Sequence, residues 1–428
     1  MNAVQVILLM FAMLGLGIPV SYSMLAASGL YFLVSDIPFM TLFQRFANSV
    51  NSVPLLAVPT FILAGNLMNT GGITHSLFRA VNTSLFGRLK GGLAQVNVVA
   101  SLIFAGMSGA ALADIGGLGA IEIEAMEKNG YKSDDAIAVT LASSAIGPIF
   151  PPSIPLIIYA TVAQVSGLRI LLAGIMPGIV MTLVMMAQVA IFARLRDYPR
   201  GELGLSRKER FQIQVKAIPA LLAPVILLAG MLTGAYSPTE LASVAAVYSF
   251  VVSVLFYKTM TFEAFSTAIR KTVGDVANIL LIAAAAFLFS FVLTIEQAPM
   301  YFRQIFLGLS DNLVVMVLAT NAILLILGMF LPMMFAVLVL TPIIVPVLTT
   351  LGMNPIHIGI MIVFNLVIGL YTPPFGQAIF LASAMTGRPV LHIVRAMFPY
   401  YVPLIVALLL VSFVPSLTLW LPGLVMGN

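Results

Sequence analysis

The chain has 428 residues, of which 61% are hydrophobic and only 8% are charged, whereas roughly a quarter of the residues in a soluble domain are charged. This composition excludes a soluble globular protein, because its surface could not cover so much apolar area with polar groups. The absence of cysteine excludes disulfides and thiolate chemistry, and the net charge of +5 does not by itself indicate nucleic-acid binding. We therefore predict an all-α, polytopic protein of the lipid bilayer.

Residues 1–90 are predicted to form a first group of scaffold helices. The stretch Val4–Val34 carries no charge, and it exceeds the about 20 apolar residues that one transmembrane helix needs. The N-terminus lacks a basic region and a small-residue cleavage site. We interpret it as a retained helix rather than a signal peptide.

Residues 91–193 are predicted to form a first transport unit. The apolar stretch Val96–Glu122 is interrupted by glycine and small residues, which is typical of a re-entrant helical hairpin. The motif IGPIFPPS (Ile146–Ser153) then lies inside an apolar helix, about Asp135–Ala160. Because proline removes an amide donor and clashes with the preceding turn, the motif predicts a helix broken in mid-membrane. A complete span, about Leu168–Ala193, ends the unit.

Residues 194–216 form a basic linker between the two halves. The linker holds seven Lys or Arg residues and three acids, which predicts a cytoplasmic location by the positive-inside rule. Counting spans outward from it leaves only Arg45, Arg169 and Arg303 of the 20 basic residues on the outside.

Residues 217–310 are predicted as a second group of scaffold helices, and residues 311–390 as a second transport unit. This unit repeats the first, with a hairpin at Leu313–Leu351 and a helix broken at IGLYTPPFG (Ile368–Gly376). The remaining residues, 391–428, are predicted to form a C-terminal helix that ends outside.

The two halves match at an offset of 222 residues. The matches fall on glycine and proline, which control backbone geometry. They pair Gly106–Met107 with Gly328–Met329, Gly130 with Gly352, Ile146–Gly147 with Ile368–Gly369, and Pro151–Pro152 with Pro373–Pro374. Five predicted spans separate the hairpins, and an odd number makes the repeats inverted. Paired broken helices in two halves are typical of a transporter site.

Several motifs, in order along the chain, resemble the large permease subunit of TRAP transporters, of the DctM and SiaM type. They are FAGMSGAALADIGG, MEKNGY, GPIFPPSIPLIIYA, GAYSPTE and the long run Leu340–Phe380. The resemblance implies an elevator fold with inverted repeats in the bacterial inner membrane, and sodium-coupled symport of a small organic acid anion. It also implies a small four-helix membrane subunit and a periplasmic substrate-binding protein as partners. Pro332 departs from the family pattern, which often has an acidic residue there.

The broken helices and hairpin tips supply the candidate site residues. Half-helix N-termini attract anions, and unwound carbonyls with small hydroxyl or amide side chains suit Na⁺. The predicted sodium ligands are Gly106, Ser108, Ser143, Ser144, Gly147 and Pro148 in the first half, and Gly328, Asn365, Gly369, Thr372 and Pro373 in the second. The predicted substrate contacts are Ser108, Ala110, Pro152, Ser153, Pro374 and Gly376.

Each of these residues has a purely structural interpretation as well, because Gly and Ser also mediate close packing of membrane helices. Asp114 is predicted to cap the hairpin turn rather than to bind an ion. Glu122, Glu124 and Glu127 are predicted to form a solvated edge, and His357 is predicted to be interfacial.

Three other functions compete with this one. A stand-alone divalent-anion/sodium symporter would share the same plan of hairpins and broken helices. The motif GMSG (Gly106–Gly109) matches the nucleophile motif of intramembrane proteases, but no histidine is predicted in mid-span to act as the base. We therefore predict no enzyme activity. A channel would show sodium-independent, downhill flux.

Overall fold

The computed structural model describes most of the chain as helices. It covers residues 1–35, 37–49, 53–83, 89–200, 206–298, 300–301, 304 and 312–427, without the side chains of residues 49, 53, 54, 107 and 108. Within these ranges the one extended pairing is an isolated bridge between Lys90 and Arg200. Seven of the described helices are long and apolar enough to cross a membrane. The all-α, polytopic prediction is confirmed.

The described N-terminal residues form five α-helices, and a short break near Gly17 separates the first two. They are α1 (Ala3–Gly15), α2 (Val20–Val34), α3 (Met40–Ser49), α4 (Ala57–Thr70) and α5 (Ile73–Asn82). The uncharged stretch Val4–Val34 is thus two helices, because Gly17 adopts a left-handed φ of 85° and Pro19 precedes α2.

The first half contains the predicted hairpin and broken helix. Its helices are α6 (Gly92–Ser108), α7 (Ala111–Asp114), a π-helical turn at Ile115–Gly119, α8 (Ala120–Lys128), α9 (Ser133–Ser144), α10 (Ile154–Ala163) and α11 (Gly167–Leu195). The hairpin consists of α6 followed by α7 and α8, and the broken helix consists of α9 and α10. Ser153 starts α10 as its N-cap, since its hydroxyl accepts a hydrogen bond from the amide of Leu156 at 3.2 Å.

The linker is shorter than the sequence predicts. The next helix begins at Arg207, not near residue 217, because Ser206 and Glu209 form a capping box that starts it. Lys90 donates a hydrogen bond to Asp197 and forms an ion pair with it. The hydrogen bond and the positive charge of Lys90 hold the pKa of the Asp197 carboxyl below its usual range. The amide of Gly91 also donates to the carbonyl of Pro199 at 3.1 Å. The linker is therefore tied to the start of the first hairpin.

The second half begins with three long helices that pack on the N-terminal group. They are α12 (Arg207–Leu232), α13 (Pro238–Val251), continued by a π-helical turn at Val252–Phe256, and α14 (Phe262–Ile295). Helix α4 packs against both α13 and α14, α2 and α3 pack against α14, and α5 packs against α12. The two predicted scaffold groups are thus in direct contact.

The second hairpin and broken helix follow. They are α15 (Leu313–Phe330), α16 (Met333–Thr350), α17 (Pro355–Leu370) and α18 (Gln377–Thr386). After them come α19 (Val390–Met397), α20 (Tyr401–Phe413) and α21 (Ser416–Met426). The prediction of a single C-terminal helix over residues 391–428 is wrong. The chain breaks near Val414, before Pro415, which has no amide proton to continue the helix.

The internal repeat is confirmed by the backbone. Helices α7 and α16 start 222 residues apart, at Ala111 and Met333, and so do α9 and α17. The loops before α9 and α17 both use a left-handed glycine, Gly130 with φ 86° and Gly352 with φ 89°. The bonds Pro151–Pro152 and Pro373–Pro374 are both cis.

A substitution at the crossing of α10 and α17 tests this packing. A Cβ on Gly359 would lie 2.2 Å from a ring carbon of Tyr159, whose ring is fully buried and whose hydroxyl donates to the carbonyl of Pro355 at 2.5 Å. The ring cannot move aside, so Gly359→Ala is expected to destabilise the protein by about 1–3 kcal/mol. The measurement is thermal unfolding of the purified protein in detergent.

The matched control is Gly274→Ala in α14, where a Cβ would meet no atom within 4 Å. This variant is expected to unfold at the wild-type temperature or slightly above it. Equal unfolding temperatures for the two variants would contradict the close approach of α10 and α17.

Candidate functional site

The two helix breaks lie side by side in the protein interior. The Ser144 hydroxyl, at the end of α9, lies 2.9 Å from the hydroxyl of Tyr371, which follows α17. Both side chains are completely buried. Tyr401 of α20 donates a hydrogen bond to the Tyr371 carbonyl at 2.6 Å. Residues 227 positions apart in the chain are thus in contact where both broken helices are unwound.

Each hairpin contacts the break of its own half through backbone atoms. In the first half, a Cβ on Gly109 would lie 2.0 Å from the carbonyl oxygen of Pro152. In the second half, a Cβ on Gly369 would lie 2.5 Å from the carbonyl carbon of Gly328. Because such contacts leave no room for a side chain, the glycines at these positions are required by the approach of the two backbones.

Buried amide and hydroxyl groups also join each hairpin to its broken helix. In the first half, Ser143 donates to the Asn97 amide oxygen at 2.6 Å, and Asn97 donates to the Thr140 hydroxyl at 2.7 Å. In the second half, Asn365 donates to the amide oxygen of Asn321 at 2.8 Å. Ser143 and Asn365 are equivalent in the repeat. The repeat therefore preserves a polar contact between hairpin and broken helix.

One predicted sodium ligand keeps a free oxygen. Asn365 is fully buried, and its amide oxygen has no hydrogen-bond partner among the described residues. An unpaired buried acceptor is costly unless something binds it. Gly369 lies one turn further along α17, against Gly328 of the hairpin. The free amide oxygen is a hard oxygen ligand of the kind that a cation such as Na⁺ prefers.

The other predicted sodium ligands divide between the breaks and helix packing. Ser143 and Ser144 are occupied by the hydrogen bonds described above, and the Thr372 hydroxyl donates to the Ile368 carbonyl at 2.8 Å. A Cβ on Gly147 would lie 3.4 Å from the backbone of the first hairpin, whereas one on Gly106 would lie 3.1 Å from Pro224 of α12. Gly106 thus packs against the scaffold, as expected if its role is close packing of helices rather than ion binding.

The predicted substrate contacts of the first half are enclosed. Pro152 and Ser153 are buried, and the Ser153 hydroxyl also donates to the Pro148 carbonyl. Ala110 lies against Gly147 at the same hairpin tip. The side chain of Ser108 lies outside the described residues. Whether these residues contact substrate stays a prediction.

The second break is open, because a cavity of about 480 Å³ lies between it and the tip of the second hairpin. Of the predicted residues, Gly328 lines this cavity, and Pro374 and Gly376 belong to the break beside it. Gly376 is required there because a Cβ would lie 2.8 Å from the carbonyl oxygens of Leu370 and Thr372. The lining residues are Val20, Gly328, Phe330, Leu331, Pro332, Leu370, Phe375, Gln377 and Phe380.

Three predictions for charged or titratable residues are wrong. Asp114 forms no capping hydrogen bond, and both of its buried carboxylate oxygens lack a partner among the described residues. Glu122 is buried because α8 packs on α9, whereas Glu124 and Glu127 are exposed as predicted. His357 is buried because α21 packs against α17, and its ring contacts the Thr418 hydroxyl at 2.8 Å.

Sequence reasoning missed the residues that connect these parts. Asn97 and Asn321 are amides within largely apolar helices, and this signal could have revealed them, since polar groups at such positions usually bond across helices. Tyr371 and the aromatic residues of the cavity carried no comparable signal. Their role depends on contacts between segments that are far apart in the chain.

A double-mutant cycle tests the contact between the two breaks. Tyr371→Phe and Ser144→Ala each remove one partner of the buried hydroxyl pair and add no bulk. The coupling free energy between the two changes is expected to be about 0.5–1.5 kcal/mol, the net worth of one such hydrogen bond. The measurement is unfolding in denaturant, and additive effects within error would contradict the contact.

Comparisons with known proteins match the whole architecture. The family described as "Tripartite ATP-independent periplasmic transporter, DctM component" matches residues 7–417. The chain is 37% identical to the sialic acid TRAP transporter large permease protein SiaM of Vibrio cholerae, over 97% of this chain and 98% of the relative. It is 36% identical to the C4-dicarboxylate TRAP transporter large permease protein DctM of Pseudomonas aeruginosa, over 86% of each.

Solved transporters share the fold at low sequence identity. The Alcanivorax borkumensis YdaH transporter superposes with a TM-score of 0.66 at 17% identity, covering 90% of this chain and 88% of that one. At this identity the likeness concerns the fold alone. The match to the family covers nearly all of the chain, including both hairpins and both broken helices. The chain belongs to the DctM family of TRAP transporter large permease proteins and is a membrane-embedded, multi-pass transporter subunit.

Proposed function

We propose that this permease carries out sodium-coupled symport of a small organic acid anion across the bacterial inner membrane. The observation that supports this most directly is the meeting of two unwound helices, next to a cavity and a buried amide oxygen without a partner. Unwound backbone within a membrane protein persists where it is covered by protein or lines a cavity. Relatives named for sialic acid and C4-dicarboxylates support an organic acid as the class of substrate.

In this proposal the two hairpins and two broken helices move together as an elevator. Residues 91–193 and 311–390 form the moving unit, and residues 1–90 and 217–310 form the scaffold. The unit is joined internally by the Ser144–Tyr371 contact and by the packing of α10 on α16 and α17. The scaffold is joined by the packing of α4 on α13 and α14. The cavity is lined by Val20 of the scaffold and by residues of the moving unit, as an elevator requires.

Sodium enters as a co-transported ion. In this proposal the ion is held by the free oxygen of Asn365 and by backbone groups at the place where Gly328 lies against Gly369. Each positive charge that moves inward down a membrane potential supplies about 2.3 kcal/mol per 100 mV. Two ions with one monocarboxylate carry one net positive charge inward, so the membrane potential supplies about 2.3 kcal/mol per 100 mV for that transport step and the sodium concentration gradient adds to it.

The two partners that the family uses complete the proposal. A periplasmic substrate-binding protein delivers the anion to the outer face, and a small four-helix membrane subunit supports the scaffold. A stand-alone divalent-anion/sodium symporter is the alternative, and it differs in needing neither partner.

Uptake into proteoliposomes tests the function and this alternative together. With an inward sodium gradient, accumulation of a labelled organic acid is expected only when the binding protein and small subunit are added. Gly369→Ala is expected to reduce the uptake rate at least tenfold, because it pushes the hairpin away from the break. Gly29→Ala, where a Cβ would meet no atom within 4 Å, serves as the control with normal uptake. Full accumulation by this chain alone would establish the alternative, and accumulation without sodium would refute the coupling.

Single-cysteine labelling tests the predicted orientation of α11 in the membrane, because the chain contains no cysteine. Arg169 and the C-terminus are both predicted to lie outside, and they are in contact, since Arg169 donates to the carbonyl of Gly427 at 2.8 Å. Ser206→Cys is expected to react with an impermeant maleimide only from the cytoplasmic side, and Ser166→Cys only from the periplasmic side. Labelling of both from one side would contradict the topology.

A further inference from the structure

The cavity at the second break has an unusual wall for a transporter of polar acids. Its volume of about 480 Å³ lies within the about 300–1,000 Å³ typical of small-molecule sites. Three phenylalanines, Phe330, Phe375 and Phe380, contribute to the wall together with Leu331 and Leu370. Among the lining residues, Gln377 is the one polar side chain, and none is Lys or Arg.

The aromatic wall belongs to the second half alone. By the repeat offset of 222 residues, Phe330 corresponds to Ser108 and Phe375 to Ser153. The rings of Phe330 and Phe375 contact each other with centroids 5.7 Å apart. They remain 53% and 58% exposed, so they are not needed to fill the core of the protein. Their surface is available to a ligand.

The polar end of the cavity is suited to one carboxylate. Helix α18 begins at Gln377, and its N-cap, Gly376, supplies no side-chain hydrogen bond to the first turn. The amides of Ile379 and Phe380 donate to the Gly376 carbonyl at 3.0 and 3.3 Å, so the amides of Gln377 and Ala378 are the ones at this helix start that a ligand can use, and they lie at the positive end of the helix dipole. With the Gln377 side chain beside them, they provide donors for a single anionic group.

The rest of the cavity disfavours more polar acids. A second carboxylate would lose its hydration and meet no cationic side chain on the wall. Each hydroxyl of a sugar acid that is buried against the phenyl rings would lose its hydrogen bonds to water and find no partner there. An aromatic or branched aliphatic group gains instead, both from burial of its apolar surface and from ring contacts.

We propose that the permease accepts monocarboxylates with an aromatic or branched apolar body, such as aryl or branched-chain 2-oxo acids, in preference to sugar acids and dicarboxylates. This inference rests on the proposed function, because it specifies the substrate class of the same site. It assigns to this chain a substrate class different from those for which the relatives above are named.

Ligand binding to the full-length protein tests the substrate class. The purified chain, together with its small subunit where the two co-purify, is placed in nanodiscs in sodium chloride or choline chloride. The four probes are phenylpyruvate, 4-methyl-2-oxopentanoate, succinate and N-acetylneuraminate. The two 2-oxo acids are expected to raise the unfolding temperature in sodium and to bind at least tenfold more tightly than the other two.

A change in the aromatic wall tests the site itself. Phe375→Ser introduces the residue that the first half has at the equivalent position. It is expected to weaken phenylpyruvate binding about tenfold while the unliganded protein keeps its unfolding temperature. Phe375→Leu keeps an apolar wall and is expected to retain binding of 4-methyl-2-oxopentanoate within a few-fold. Phe262→Ser, which replaces a ring that is 88% exposed at the start of α14, is the control with unchanged binding.

The outcomes separate this inference from the proposed function. If succinate or N-acetylneuraminate binds as tightly as the 2-oxo acids, the substrate class is wrong, while sodium-driven uptake of another anion still holds. The same conclusion follows if no probe binds, or if Phe375→Ser binds phenylpyruvate normally. Loss of the proposed function itself would appear as the absence of sodium-dependent uptake for every organic acid tried.

Discussion

Peptide groups freed by a break in a membrane helix cannot be hydrated by lipid, and the arrangement of this protein follows from that constraint. Each Pro-Pro motif interrupts the hydrogen bonds of an apolar helix, so the unwound segment must be covered by protein. A hairpin covers each break, and the two breaks cover one another through Ser144 and Tyr371. A polar centre thus forms inside a chain in which only 8% of residues are charged.

Close approach of backbones requires small residues, and this explains where the glycines lie. Gly109 against Pro152 and Gly369 against Gly328 leave no space for a Cβ. The polar contacts that accompany them are few but completely buried, such as Ser143 with Asn97 and Asn365 with Asn321. In an apolar surrounding each of these bonds helps to select one pairing of hairpin and helix, because an unpaired amide there is costly.

The two halves share a backbone plan but differ in the chemistry of their breaks. The first break is closed by buried prolines and by the occupied hydroxyl of Ser153. The second opens to a cavity with phenyl rings at positions where the first half has serine. The two breaks thus share their backbone geometry and differ in the surfaces that their side chains form. This asymmetry leaves the second break as the one with an open cavity beside it.

The sequence by itself determined the membrane class, the repeat, the two hairpins and both broken helices. These features depend on composition, on the spacing of glycine and proline and on the length of apolar runs, all of which act locally along the chain. Tertiary structure alone decided the burial of Glu122 and His357, the free oxygens of Asp114, the division at Val414 and the aromatic wall near Phe375. Most of these depend on which helix faces which across hundreds of residues. That choice is made by the packing of whole helices, and a local pattern does not contain it.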